Sequence, residues 1–258
     1  MSPSLLSRIA QRQIVGVLLL AAAAGCRSAH STTPRPPAPP ATASVAPASA
    51  AVPDSIRWFR TSAEYVGTVL ETYRAATARV ESTSATLPAG SWAVVLDADE
   101  TVLDNSQYQL ERAQAHAGFT EESWAAWVKR REATPLPGVA SFLSRVHALG
   151  GRIAIVTNRL QSVCADTEAV FAKHTLVYDT MLCRVDGTPS DKNPRFRAVA
   201  EGRTPLGTSP LTIVVFVGDN ILDFPGLSQG IRAQGEPAYA QFGVQYFLLP
   251  NPMYGSWQ

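Results

Sequence analysis

"VVLDADETVLDN" spans Val94–Asn105 and decides how the rest of the chain is read. With Trp92 and Ala93 before it, its apolar half makes a strand-like run, Trp92–Leu96, with no polar residue to face water. Such a run belongs to a strand buried on both faces. It then meets Asp97, Asp99 and Glu100, three acids within four positions. Clustered charge is costly inside a core, so the acids must begin where the strand emerges at the edge of a sheet. Working outward, "RIAIVT" (152–157), "DTMLCRV" (179–185), "LTIVVFVG" (211–218) and "VQYFLLP" (244–250) read as further strands. Helical patterns fall between them at 139–149, 159–173 and 193–202. Apolar strands alternating with helices predict an α/β fold: a three-layer, Rossmann-like parallel sheet.

Two segments stand outside that alternation. Phe59, Ala63, Val66, Leu70, Tyr73 and Val80 recur at helical spacing, which predicts one N-terminal helix over 54–84. The stretch 106–136 carries "EESWAAWVKRRE", a short amphipathic helix with Trp124 and Trp127, and is expected to form a small helical cap over the strand ends.

In a doubly wound sheet, ligands bind at the carboxyl ends of the strands. The first strand ends at Asp97, with Asp99 two residues on. The second ends at Thr157, Lys192 opens the helix after the third, and the fourth ends at Asp219, with Asp223 four residues beyond. Carboxylates side by side repel one another unless a cation sits among them. A hard divalent ion with oxygen ligands answers this, and Mg²⁺ suits few carboxylates supplemented by water and phosphate. A lysine, a hydroxyl, a metal and strand-end amides together describe a pocket for a phosphoryl group. Glu100 reads as structural, pointing away or hydrogen-bonding locally.

"DADET", "IVTN", Lys192 and "VGDNILD" resemble the four motifs of the haloacid dehalogenase (HAD) superfamily. "VVLDADETVLDNSQYQ", "FVGDNILDF" and the terminal "FGVQYFLLPNPMYGSW" resemble its class C acid phosphatases, bacterial surface lipoproteins that dephosphorylate nucleotides. The resemblance covers about 55–258. Ala98 stands where a larger aliphatic is usual, and Asn193 follows the lysine where Ser is common. The resemblance implies that Asp97 attacks phosphorus and that Asp99 protonates the leaving group and then activates water. It implies that Thr157, Asn158 and Lys192 hold phosphoryl oxygens, and that Mg²⁺ is bound by Asp97, Asp219 and the Asp99 backbone carbonyl. Asp223 would orient Lys192 or a metal-bound water. Trp124 and Tyr254 would line a nucleoside site, with Tyr108 near its entrance. A phosphatase for sugar phosphates or phosphorylated amino acids, or a lipoprotein that binds ligands without turnover, are the rival readings.

Residues 1–25 read as a lipoprotein signal peptide. Arg8 and Arg12 precede an apolar stretch, Ile14–Ala24, too short to span a bilayer. "AAGC" before and at Cys26 resembles a lipobox, which implies lipidation of Cys26 and, with Arg27 rather than Asp following, sorting to a bacterial outer membrane. Residues 26–53, rich in Pro, Ala, Ser and Thr, read as a tether to the domain at 54–258. The net charge of +1 gives no basic surface for a nucleic acid polymer, so the expected partners are small phosphate esters and the membrane. The four histidines are scattered and form no zinc pattern. Cys164 and Cys183 would meet an oxidising compartment; whether they pair is left open by the sequence.

Overall fold

The computed structural model describes residues 52–205, 207 and 209–258. The signal segment, Cys26 and the tether as far as residue 51 lie outside the described residues. No helix among the described residues is long and apolar enough to cross a membrane.

Five parallel strands form the central sheet: β1 (Trp92–Leu96), β4 (Arg152–Leu160), β5 (Thr180–Arg184), β6 (Thr212–Gly218) and β7 (Tyr246–Leu248). Their spatial order is β5-β4-β1-β6-β7. The chain therefore builds outward from β1 to one side, then returns to build on the other. The reversal falls between β1 and β6, and the crevice outside the carboxyl ends at such a reversal is where an α/β sheet takes its ligand.

The alternation of side chains along each strand divides the core in two. Trp92, Val94 and Leu96 of β1 and Ile153 and Ile155 of β4 pack on one face, against α2 (Ala63–Ser84), α5 (Val139–Ala148) and α6 (Cys164–Lys173). Ala93, Val95, Ala154 and Val156 pack on the other, with Phe196 and Val199 of α7 (Asn193–Ala200). All five residues of β1 are buried, which is why that strand shows no polar face in sequence. Each large apolar side chain so buried contributes about 1.5–3 kcal/mol.

The single helix expected over 54–84 is two, α1 (Asp54–Thr61) and α2, broken at Ser62. Ser62 is extended, and its Oγ accepts from the Tyr65 N–H at 3.1 Å as an N-cap. The break shifts the buried stripe of α2 to Tyr65, Val69, Tyr73, Ala76 and Val80. Ala63 and Val66, expected on the apolar face, are exposed as a result.

The segment expected as a cap holds two helices, not one: α3 (Ser106–Gln114) and α4 (Glu121–Arg130). Its ends meet in a short antiparallel pair, β2 (Leu103–Asp104) with β3 (Thr134–Pro135), which closes the insert at its base. Trp127 is buried there, its Nε1–H donating to Asn105 Oδ1 at 2.9 Å.

The second strand runs past its expected end. β4 continues through Thr157, Asn158 and Arg159 to Leu160, and α6 begins only at Cys164. Cys164 and Cys183 are joined in a disulfide, with Cα atoms 6.1 Å apart.

Candidate active site

Asp97 is the first residue after β1, and its N–H still donates to Val217 O of β6 at 3.0 Å, so its place is set by the ladder. The chain then turns sharply. Glu100 takes φ +50°, and Val102 and Leu103 both donate back to Ala98 O. A non-glycine residue in that region is held by its surroundings at a cost. Here they are a buried carboxylate: Glu100 Oε1 accepts from the Asn105 N–H at 2.7 Å, and Oε2 accepts from the Tyr254 hydroxyl. Glu100 thus does not point away; it is fully buried and ties the turn to the C-terminal segment.

Two chains of ion pairs leave this turn in opposite directions. Lys192, 4% exposed, donates to Asp97 Oδ1 at 2.5 Å and to Asp223 Oδ1 at 2.6 Å. Asp223 Oδ2 accepts from the Asn220 N–H at 2.9 Å. Asp223 approaches so closely over the end of β6 that a Cβ on Gly218 would lie 2.2 Å from its own Cβ, which is why residue 218 has none. On the other side, Asp99 Oδ1 accepts from Arg159 Nε at 2.9 Å, Arg159 Nη2 at 2.8 Å and Asn105 Nδ2 at 2.9 Å. Arg159 is 1% exposed, and its remaining donors go to Thr167 Oγ1 and Asn105 Oδ1.

Asp219 completes the floor. Its carboxylate accepts from Thr101 Oγ1 at 3.2 Å and from Asn251 Nδ2 at 2.8 Å. One carboxylate oxygen from each of Asp97, Asp219 and Asp223 lies within 4.8 Å of the others. Three carboxylates thus gather beside one ammonium, which bonds two of them, Asp97 and Asp223. Burial pushes Asp97 up to about 7; Asp223 and Asp99 add to the rise, and Lys192 opposes it. Burial, then Asp223 and Asp97, raise Asp219 well above the carboxylate range. Burial would lower Lys192, but Asp223 and Asp97 outweigh it and hold the ammonium charged. An all-oxygen donor set with this excess of negative charge fits a hard divalent cation. Asp223 is held by Lys192 and Asn220 and Asp219 by Thr101 and Asn251, while only one oxygen of Asp97 is engaged, by Lys192.

These groups open into a cavity of about 720 Å³, a size suited to a small ligand. Asp97, Asp99, Asn158, Lys192, Asp219, Asp223, Trp124 and Tyr254 all line it. Of the residues singled out in sequence, Thr157 stands apart. It is fully buried inside β4, outside the cavity lining, and its Oγ1 accepts from the Arg159 N–H at 3.1 Å. Asn158 Oδ1 accepts from Arg195 Nη2 at 2.6 Å, and Arg195 also donates to Thr157 O. Trp124 stands edge-on to Tyr108, with Arg159 5.6 Å from its ring centroid. Phe119, 64% exposed, lies at the mouth.

Arg159, Asn105, Arg195 and Asn251 were not picked out in sequence. Arg159 carried a usable signal, since an arginine two residues beyond the end of an apolar strand must find a partner if the strand continues. A helix starting at residue 159 would lift that requirement by giving the side chain to solvent.

The family model described as "HAD superfamily, subfamily IIIB (Acid phosphatase)" matches residues 13–257. The class C acid phosphatase from Bacillus anthracis has a similar structure, with a TM-score of 0.69 and 27% identity over 79% of this chain and 85% of that one. A second structure of that enzyme, with tungstate bound, aligns with the same values.

Proposed function

This chain belongs to the acid phosphatases of HAD subfamily IIIB and is a phosphomonoesterase of class C, and from that premise we propose that it hydrolyses nucleoside monophosphates, with Mg²⁺ as cofactor, through a phosphoryl group carried on Asp97. The observation that carries this reading is a single cavity with Asp97, Asp99, Lys192 and Asp219 on its floor and Trp124 and Tyr254 on its walls.

In the first half-reaction an Asp97 carboxylate oxygen attacks phosphorus, and the bond from phosphorus to the ester oxygen breaks. Asp99, held by Arg159 and Asn105, delivers a proton to that departing oxygen. In the second half-reaction Asp99 takes a proton from water. The water oxygen attacks phosphorus and the bond to Asp97 breaks, which returns both carboxyls to their starting states. Such acid–base help is worth roughly 10²–10⁴-fold. Lys192 neutralises phosphoryl oxygens beside Asp97 and Asn158 contributes its amide donors, while Thr157, buried behind the cavity, helps fix the segment of β4 that carries Asn158 and Arg159. Asp223 is a positioning residue that keeps Lys192 aimed at Asp97. Asp97, Asp219 and the Asp99 backbone carbonyl would hold Mg²⁺, which supplies positive charge to the phosphoryl oxygens.

A nucleoside offers a flat base to the aromatic walls, and stacking of this kind is worth ~1–3 kcal/mol per base. The α3–α4 insert acts as the cap that presents Trp124. We further propose that Cys26 is lipidated and that the tether displays the domain from a bacterial outer membrane. A charged nucleotide crosses a membrane poorly there and its nucleoside passes more readily.

A panel of phosphate esters, assayed with EDTA and with Mg²⁺ restored, tests the reading. AMP and its relatives should exceed sugar phosphates in kcat/KM, with activity lost to EDTA and regained with Mg²⁺. Trp124→Ala should lower kcat/KM for AMP about tenfold more than for p-nitrophenyl phosphate, the equivalent of ~1.4 kcal/mol of stacking. Equal losses on the two esters would remove the nucleotide assignment.

A further inference from the structure

β4 and β5 come apart beside the site. Val156 pairs with Leu182, but the next paired residues are Leu160 and Arg184. Four steps along β4 thus match two along β5, and the surplus is the segment carrying Thr157, Asn158 and Arg159. A ladder interrupted in this way leaves the strand ends beyond it weakly held. The Cys164–Cys183 disulfide lies at the interruption. Cys183 immediately precedes Arg184, and Cys164 opens α6 after the short turn Gln161–Val163.

Helix α4 is fastened at both ends to this crosslinked piece. At its N-terminus Glu121 pairs with Arg184 at 2.7 Å. At its C-terminus Arg131 pairs with Asp166 at 2.7 Å, and the Arg131 carbonyl accepts from Lys173 Nζ at 3.0 Å. Glu121 and Arg131 are 60% and 54% exposed, so solvent screens both ion pairs. Such links can hold α4 only as firmly as the backbone they reach is itself held. Leu160, Val163 and Arg184 on that backbone line the same cavity as Trp124 on α4.

We propose that the Cys164–Cys183 disulfide is a positioning element for the α3–α4 insert: it fixes the platform made by the end of β5 and the start of α6, and through Arg184 and Asp166 it fixes the cavity wall that α4 presents to the substrate. Cys183 stands inside the interruption, between Leu182 and Arg184, where β5 has no paired residue on β4. The disulfide therefore contributes locally to the substrate wall, beyond the general restriction of the unfolded chain that any crosslink gives.

Hydrogen exchange on the Cys164→Ala/Cys183→Ala variant tests this without any substrate, so its outcome is independent of the nucleotide reading. Amides of α4 (121–130) should exchange on the order of tenfold faster than in the parent protein, while β1 and β6 stay unchanged. Hydrolysis of p-nitrophenyl phosphate should show KM raised about threefold or more with kcat kept within about twofold, the mark of lost binding rather than lost chemistry. Uniform acceleration of exchange, unchanged exchange in α4, or a fall in kcat at constant KM would each overturn the proposal. Should the double variant fail to fold, Asp166→Asn in the crosslinked protein removes one fastening instead. It should speed exchange in α4, and no change there would also overturn the proposal.

Discussion

Replacing Arg159 by Met keeps the apolar stem and removes the guanidinium. The side chain is 1% exposed and donates to Asp99, Asn105 and Thr167, so its loss removes the charged partner of Asp99 and one donor each from Asn105 and Thr167, whose other bonds remain. Removing one partner of a buried ion pair costs ~3–5 kcal/mol. The Asp99 side chain is 15% exposed, so water can reach it in part, and the lower end, about 3 kcal/mol, is expected. For a domain of this size each kcal/mol moves Tm by roughly 2–4 °C, so Tm should fall by roughly 6–12 °C. Calorimetry on the variant measures this directly. Adding Asp99→Asn removes the stranded charge, so the double variant should be less destabilised than the sum of the singles by more than about 1 kcal/mol. With Asp99 no longer held, kcat for p-nitrophenyl phosphate should drop roughly 10–100-fold, within the range acid–base catalysis supplies. A Tm shift below about 2 °C together with kcat within about twofold of the parent would refute the claim that Arg159 holds Asp99.

Stripped of divalent ions, the protein should lose stability as pH rises. The folded-state pKa of Asp97, about 7, lies above its ordinary value of 3.8, so the folded form binds that proton more tightly. Its contribution is therefore fully present below about pH 4 and fades as pH passes through 7, by on the order of a few kcal/mol. Urea melts in EDTA from pH 5 to 8 should show this decline and Mg²⁺ should offset it at the alkaline end; a flat profile in EDTA would contradict it. Gly218→Ala should cost about 2 kcal/mol and lower kcat at least about tenfold, because the new Cβ displaces Asp223 from Lys192. Ser62→Ala should cost about 1 kcal/mol in thermal melts, with kcat/KM kept, since it removes only the N-cap of α2.

The sheet was legible because parallel strands buried on both faces leave an unmistakable apolar run, and β1 and β6 end where their runs meet Asp97 and Asp219. β4 was harder. Its last residues, Thr157 to Leu160, are polar and resemble a helix start, and they stay in the strand because Asp99, Asn105 and Thr167 satisfy Arg159 from elsewhere in the chain. No local pattern reports partners at that separation. The same holds for Glu100, whose burial depends on Tyr254 at the far end of the sequence. The pairing of Cys164 with Cys183 follows from β5 lying beside β4, a matter of sheet order rather than spacing. The break at Ser62 is within reach of sequence, since a serine before Ala-Glu-Tyr is a usable N-cap, although the apolar periodicity runs on through it.

The phosphoryl group on Asp97 is the centre of the account. Mixing the enzyme with a phosphate ester and Mg²⁺, quenching in acid within the first turnover and mapping the peptides by mass spectrometry should find one phosphoryl group on the peptide containing Asp97, and none in Asp97→Asn. A phosphorylated residue elsewhere, or continued hydrolysis by Asp97→Asn at the parent rate, would contradict it.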